Sequence, residues 1–341
     1  MQQIWITKKG SPKTLKVRET SLPEPNSGQL SVKVKYAGIN FADLLARMGL
    51  YPGAPKPPYV PGFEFSGVVE KAGHKELEHW IGKPVLGVSK AGGYSSQILV
   101  EESLLIPLKS ESELKTAAAI PVNYFTAYGM MITQAHLQEK EWILIHGIGG
   151  GVGIAALQLA KILKAEIIGT ASRAKHDRLI KMGITHLIDY NTENFVTQTL
   201  KITNGKGADV ILDPIGGSNL RRSYEALASL GRLINYGFSK AAPGNRGLSL
   251  NALKEYLTRK KFDPLEMMRS NKGLFGFHLG RLRDRSDFHI KASRQVMEWF
   301  HSGAIQPVVD KVFHFHSAPE AHQYLHDHKN FGKVLLSPDE R

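Results

Sequence analysis

Over residues 1 to about 110, apolar and polar positions alternate in short runs broken by proline and glycine, the pattern of half-buried strands. Gln3 to Thr7 and Thr14 to Arg18 form a candidate hairpin, and PEPNSG at 23–28 is a turn cluster. Leu30 to Tyr36 sets Leu, Val, Val and Tyr against Ser and Lys, and Phe65 to Val69, Pro84 to Val88, Tyr94 to Val100 and Leu104 to Pro107 continue the series. The spacing predicts a small all-β barrel or sandwich. One helix, Phe41 to Met48, interrupts it.

The period changes near Glu111. A helical stretch to Gln134 leads into EWILIHGIGGGVGIAALQLAKILKAEIIGTASRAKH at 141–176. There an apolar run (Trp142 to Ile145), a glycine-rich turn, a helix from Gly151 and a second run (Ile167 to Thr170) follow one another, the order that binds a dinucleotide. Helices at 173–182, 193–203 and 218–229 then alternate with strands His186 to Tyr190, Ala208 to Asp213 and Arg232 to Tyr236. Gly273 to Phe277 is a candidate sixth strand, and the regular alternation predicts a parallel, doubly wound sheet. An insert at 238–272 carries the amphipathic LSLNALKEYLTRKKFDPLEMM, which caps a cleft or packs on the sheet. After a helix at 287–302, the tail returns to β character at Val308 to Phe315, has a helix at 318–327 and closes with Lys333 to Leu336, rejoining the N-terminal β domain.

Composition narrows the chemistry. The 341 residues leave room for two domains, and the absence of cysteine removes disulfides, thiolate zinc sites and a cysteine nucleophile together. Lys and Arg number 44 against 31 acids, a formal charge of +13. The basic residues are dispersed, densest at Arg259 to Lys261 and Arg281 to Arg285, with no nucleic-acid motif beside them, so a solvated surface attracting a polyanionic cofactor is preferred to nucleic-acid binding. The first residues, MQQIWITKKGSPK, lack the apolar core of a signal peptide, and Val152 to Leu163 is too short to cross a bilayer; a cytoplasmic protein is expected.

A pyrophosphate needs a tight turn with close backbone approach and a helix N-terminus offering N–H groups. Gly149, Gly150 and Gly151 remove the Cβ atoms that would obstruct it, and Gly153 lets the helix lie on its strand, although Ile148 stands where the first glycine of G-x-G-x-x-G belongs. At the end of the second strand, NAD enzymes place an acid for the ribose 2′-OH. Here stand Thr170, Ala171 and Ser172, then Arg173, Lys175 and His176. A hydroxyl and cations suit a 2′-phosphate, so NADPH is expected.

These residues belong to a wider set: GINFADLLARMGLYP at 38–52, VPGFEFSGVV at 60–69, IPVNYFTAYGMM at 120–131, HGIGGGVG at 146–153, DPIGG at 213–217, FGFHLG at 275–280 and GKVLL at 332–336. Taken together they resemble the zinc-free quinone oxidoreductase branch of the medium-chain dehydrogenase/reductases, and within it the vesicle amine transport protein-like subgroup. The resemblance implies a doubly wound parallel Rossmann sheet inserted into a GroES-like β-barrel domain. Residues 1–123 with 303–341 would form the substrate (catalytic) domain and 124–302 the NADP(H)-binding domain. It implies that Asn40 and Tyr51 serve the substrate and nicotinamide end of the site, and that Thr126, Gly150, Gly151 and Val152 contact the nicotinamide and pyrophosphate side. Ser172, Lys175 and Tyr190 would hold the adenosine 2′-phosphate, with Thr170 beside them; Ile215 and Tyr236 would flank adenine and ribose. Phe275 to Phe277 would approach the nicotinamide, and Asn330 would close the site. A homodimer is expected, through edge strands near 273–280.

Zinc-dependent relatives of this family use Cys, His and Cys where this chain has Asn40, Phe63 and Val122, none a credible ligand. Hydride transfer to a quinone or α,β-unsaturated carbonyl needs no metal, since orientation alone contributes roughly 7–11 kcal/mol. Asn40 could donate its amide N–H to the substrate oxygen, and Tyr51 is read as an aromatic wall rather than an acid. Asp43 and Glu64 are expected to form structural hydrogen bonds, and His146 to pack the turn. His314 and His316 are placed on one strand face and His322 and His326 at i, i+4 on a helix, all four expected to be exposed. Two alternatives accompany the reductase: an enoyl-thioester reductase, and a non-catalytic NADPH-binding protein acting on RNA, a membrane or a protein partner.

Overall fold

Alternating residues of the first hundred positions do turn their apolar faces to one core. The computed structural model describes residues 1–241, 262–282 and 285–339, and among them the chain divides into two compact units. The first comprises Met1–Val122 with the tail from Pro307; the second runs from Asn123 to Gln306.

In the first unit, β1 (Gln2–Ile6) and β2 (Leu15–Glu19) pair antiparallel as the expected hairpin. β3 (Gln29–Ile39), β4 (Glu64–Ala72), β5 (Pro84–Val88), β6 (Gln97–Glu101) and β7 (Leu105–Pro107) build a second sheet with β14 (Val309–His314) and β15 (Lys333–Ser337). Its order is β14-β15-β3-β4-β5-β7, with β6 also on β3, so the tail does rejoin the N-terminal strands. Leu30, Val32, Val34, Phe65, Val85, Val334 and Leu336 fill the core with Tyr94 and Phe315. Each such side chain contributes about 1.5–3 kcal/mol by leaving water. Tyr94 lies outside the strand expected at 94–100: its backbone bonds Ile4 and Pro61, and pairing begins at Gln97. Helix α1 (Phe41–Met48) stops at Gly49, whose φ of 77° is the left-handed conformation of a helix end.

The helical stretch expected at 111–134 is four pieces: a 3-10 turn over Glu111–Glu113, α2 (Leu114–Ala117), α3 (Pro121–Tyr128) and a π-helical turn over Gly129–Gln134. Pro121 has no N–H to continue α2 and restricts the residue before it.

The second unit is a six-stranded parallel sheet of β8 (Trp142–His146), β9 (Glu166–Ala171), β10 (His186–Asp189), β11 (Ala208–Asp213), β12 (Leu227–Asn235) and β13 (Gly273–Gly276). The order β10-β9-β8-β11-β12-β13 is that of a dinucleotide-binding Rossmann sheet. Between the strands lie α4 (Gly151–Ile162), α5 (His176–Lys181), α6 (Phe195–Ile202), α7 (Ser218–Glu225) and α8 (Pro264–Ser270). α9 (Ser286–His301) follows, and α10 (Ala318–His326) belongs to the tail. α7 ends four residues before the expected 229, because Leu227 leaves the helix to pair with Ala208 of β11. Alanine and leucine favour a helix there, and strand pairing overrides that preference. Most of the insert, residues 242–261, lies outside the described residues, as do Arg283 and Asp284 of the second basic cluster.

The tail histidines depart from expectation. His322 and His326 are buried, at 0% and 9% exposure, not exposed. α10 turns them inward, where the Tyr94 hydroxyl lies 3.3 Å from His322 Nε2. Burial, with Arg47 nearby, holds the His322 ring well below the usual imidazole range and so neutral. His314 closes β14, while His316 lies in the following turn.

Candidate functional site

The glycine turn joins β8 to α4. Gly147, not Ile148, makes the bend: its φ of 63° is left-handed, and open space surrounds the position a Cβ would take. Gly153 is required for another reason, since a Cβ there would stand 2.5 Å from the Gly147 oxygen and 2.6 Å from Ile148 Cα. A Cβ on Gly151 would meet the Asn123 amide at 2.7 Å, which puts Asn123 beside the turn. The first-turn N–H groups of α4 have no acceptor within the helix. Gly151 and Val152, expected at the pyrophosphate, open that turn, with Gly150 at the cap.

Behind the turn runs a buried chain of hydrogen bonds that sequence reading reduced to packing by His146. Gly147 N donates to Thr170 Oγ1 (3.3 Å), which lies 3.1 Å from His146 Nδ1. His146 Nε2 lies 3.1 Å from Ser223 Oγ, and Ser223 donates to Asp213 Oδ2 at 2.8 Å. Asp213 also accepts from Ile215 N (2.7 Å), Gly216 N (3.0 Å) and Asn219 Nδ2 (3.0 Å). A carboxylate can only accept, so Ser223 gives its one hydrogen to Asp213 and accepts from His146; in a neutral ring this leaves Nδ1 as the acceptor. Thr170 donates to Nδ1, and Nε2–H donates to Ser223. Burial and Arg222 lower the His146 pKa against the pull of Asp213, in keeping with a neutral ring. The Thr170 hydroxyl therefore holds the turn rather than facing outward.

The other expected cofactor residues of this unit gather at strand ends. Ser172 and half-buried Lys175 follow β9, exposed Tyr190 follows β10, Ile215 follows β11, and Tyr236 follows β12. Phe275 lies in β13 and Phe277 just beyond it, where Phe277 N donates to Asn235 O at 2.9 Å. These are the carboxyl ends of parallel strands, where such sheets bind ligands. Thr126 stands apart from them on α3, buried.

In the first unit, Asn40 ends β3 and caps α1, with its N–H donated to Asp43 Oδ2 at 2.8 Å. Its side chain is tied down. Nδ2 donates to Glu64 Oε1 at 2.7 Å, and Lys333 Nζ donates to Oδ1 at 2.7 Å. Lys333 also pairs with Glu64 Oε1, and Val122 N donates to Glu64 Oε2 at 2.8 Å. Asp43 accepts Gly62 N at 3.3 Å as well, so both carboxylates have the structural partners expected of them. Burial raises the Asp43 pKa to about 7, against the Asn40 N–H and Lys333, which lower it. Tyr51 lies against Phe63, ring centroids 5.7 Å apart, and Asn330 Nδ2 donates to Gly332 O at 2.8 Å. Sequence reading missed Lys333. The available signal was a lysine opening an apolar strand, KVLLS, whose every residue is buried.

These residues do not suit a zinc ion. Asn40 is bound on both amide atoms, Phe63 and Val122 offer no side-chain donor, and the described residues hold no group of three potential metal-binding side chains.

Two family models match: "Zinc-binding dehydrogenase" over residues 182–336 and "Alcohol dehydrogenase GroES-like domain" over residues 26–110. The synaptic vesicle membrane protein VAT-1 homolog of Danio rerio is 35% identical over 93% of this chain, which spans 66% of that relative. The Homo sapiens VAT-1 homolog is 33% identical over 95% of this chain and 82% of its own length. Human quinone oxidoreductase is 27% identical over 98% of this chain and 97% of its own. Among solved structures, the human VAT-1 homolog-like protein superimposes with a TM-score of 0.86 at 29% identity, covering 100% of this chain and 99% of that one. Escherichia coli quinone oxidoreductase complexed with NADPH gives 0.86 at 27%, over 99% and 100%. JamJ enoyl reductase gives 0.84 at 26%, over 98% of each. With its Rossmann sheet and GroES-like domain, the chain belongs to the medium-chain dehydrogenase/reductase family of oxidoreductases, in the VAT-1-like subgroup.

Proposed function

We propose that this chain is an NADPH-dependent reductase that passes a hydride to a quinone or an α,β-unsaturated carbonyl without a metal. One observation carries the reading: a glycine turn at the N-terminus of α4 beside a strand end that offers Ser172 and Lys175 and no acid. Bound NADPH supplies the hydride. Gly150, Gly151 and Val152 hold its pyrophosphate, Ser172, Lys175 and Tyr190 its 2′-phosphate, and Ile215 and Tyr236 its adenine and ribose. Thr170 acts indirectly, by holding Gly147. Thr126, Phe275, Phe277 and Asn330 attend the nicotinamide. The first unit is the substrate domain, where Asn40 orients the acceptor oxygen, Tyr51 with Phe63 forms an aromatic wall, and solvent delivers the proton. The bacterial quinone oxidoreductase, described as complexed with NADPH, supports this assignment.

The test is NADPH consumption against ortho- and para-quinones, alkenals and enoyl-CoA. Reduction of quinones or alkenals is expected. Turnover of enoyl-CoA alone would replace this reading with the enoyl reductase that the likeness to JamJ favours. No turnover, with salt-sensitive RNA binding, would replace both with a non-catalytic NADPH-binding protein. A homodimer through the edge strand β13 accompanies the proposal, and a monomer by light scattering at micromolar concentration refutes it. The proposed site of action is the cytoplasm; no helix among the described residues is long and apolar enough to cross a membrane.

A further inference from the structure

The Asn40 carboxamide sits between a group that can only donate and one that can only accept. Lys333 Nζ faces its oxygen at 2.7 Å, and Glu64 Oε1 faces its nitrogen at 2.7 Å. An amide ordinarily leaves its O and N ends ambiguous, but these partners remove the ambiguity. Turning the amide over would set N–H against an ammonium and oxygen against a carboxylate. The exposures are 0% for Glu64, 2% for Lys333 and 7% for Asn40, so water offers little relief from that misfit.

Counting donors shows what remains. Lys333 and Asn40 Nδ2 share Glu64 Oε1, and Val122 N takes Oε2, so both carboxylate oxygens are engaged. Asn40 keeps one of its two amide hydrogens. The clamp is anchored on other sides as well: a Cβ on Gly38 would stand 2.6 Å from Glu64 Oε1 and 2.7 Å from Lys333 Cε. Lys333 N donates to Val308 O at 2.8 Å, and pairing of Val334 with Ile39 sets Lys333 alongside Asn40.

We propose that Lys333 is a positioning residue of the substrate site: with Glu64 it locks the Asn40 amide in one orientation, so that the amide hydrogen left over is a fixed donor suited to a carbonyl oxygen. This rests on the reductase reading above. Hydride arriving at the β-carbon of an enone drives the alkene and carbonyl electron pairs toward oxygen, and a solvent proton completes the reduction as NADPH becomes NADP⁺. A quinone likewise becomes a hydroquinone. The oxygen gains negative charge during the step, so a fixed donor stabilises it more then than in the ground state.

The test uses full-length protein labelled with 15N-asparagine, the Asn40 side-chain signals being assigned by their loss in Asn40→Asp. In the wild type they should be protected from solvent exchange. In Lys333→Met that protection should fall at least about tenfold, with kcat for a reducible quinone down about 100-fold, the scale for misplaced groups, and KM much less changed. Lys333→Arg, which still donates to both acceptors, should recover most of both. Removing one charge of a buried pair strains folding, so Lys333→Met/Glu64→Gln, which removes both, is the second variant and should show the same losses. Unchanged Asn40 signals in either methionine variant overturn the clamp, whatever the activity. If the wild type reduces no carbonyl acceptor, the reductase reading fails, and with it the carbonyl oxygen as ligand, while the exchange data still decide whether Lys333 holds Asn40.

Discussion

Replacing Gly150 and Gly153 with alanine, one at a time, separates a turn shaped for folding from one shaped for a phosphate. Gly150 has φ −85° and ψ 175°, extended backbone open to any residue, and its added Cβ would stand 3.2 Å from the Gly147 oxygen. Reduced freedom of the unfolded chain contributes about 0.4–1 kcal/mol in favour of Gly150→Ala. The tight contact offsets that, and net stability should stay within about 1 kcal/mol of the wild type. The methyl group nevertheless stands at the end of α4, at the proposed pyrophosphate site. Losing one hydrogen bond to a charged group, about 1.5–3 kcal/mol, weakens NADPH roughly 10- to 100-fold. Gly153→Ala presses on backbone atoms at 2.5 and 2.6 Å that cannot rotate away. Overpacking of about 1–3 kcal/mol exceeds a helix-propensity gain of at most about 1 kcal/mol. At about 2–4 °C per kcal/mol for a domain of this size class, Tm should fall by several degrees. Thermal melts with and without NADPH read both effects, since ligand at about 100 times Kd adds about 2.7 kcal/mol. A Gly150→Ala protein that keeps both its Tm and its NADPH shift refutes the cradle, and a Gly153→Ala protein with unchanged Tm refutes the packing argument.

Lys175→Glu should raise the NADPH Kd at least about tenfold and leave NADH nearly unchanged; equal binding of both by the wild type, with a neutral Lys175→Glu, refutes the 2′-phosphate site. Asp43 has a folded pKa of about 7 against 3.8 for the free side chain, so its contribution to stability is fully present below about pH 4 and is lost as pH rises through about 7. The loss amounts to roughly 4 kcal/mol over that window, about 3 kcal/mol of it above pH 5, and urea melts at pH 5 and pH 8 should show a smaller difference in Asp43→Asn than in the wild type; parallel profiles refute the assignment. Asp213→Asn replaces one of the two acceptor oxygens by an NH2 group, which then faces two of the four donors, and should cost at least about 1–3 kcal/mol and loosen NADPH through the His146 chain. Wild-type stability and NADPH affinity in that variant would show that the chain does not support the turn.

Period and punctuation alone determined the order of elements. Trp142 to Ile145, the glycines and Ile167 to Thr170 announced a dinucleotide turn because strand, turn and helix are local and their signals adjacent. The same locality failed where a distant partner decides the outcome: Leu227 sits in a helix-favouring stretch and becomes strand on meeting Ala208. Burial of His322 and His326 was likewise invisible, since i, i+4 spacing specifies a helix face but not what covers it. The sites divide in the same way. Gly150, Ser172 and Lys175 stand beside the strands that place them, whereas Asn40 and Lys333 lie 293 positions apart and meet only because β15 pairs with β3. Charge and residue type supplied candidates, but a buried lysine and a buried carboxylate are tolerated only as a pair. That pairing, and the direction it imposes on Asn40, exists in the folded sheet and nowhere along the chain.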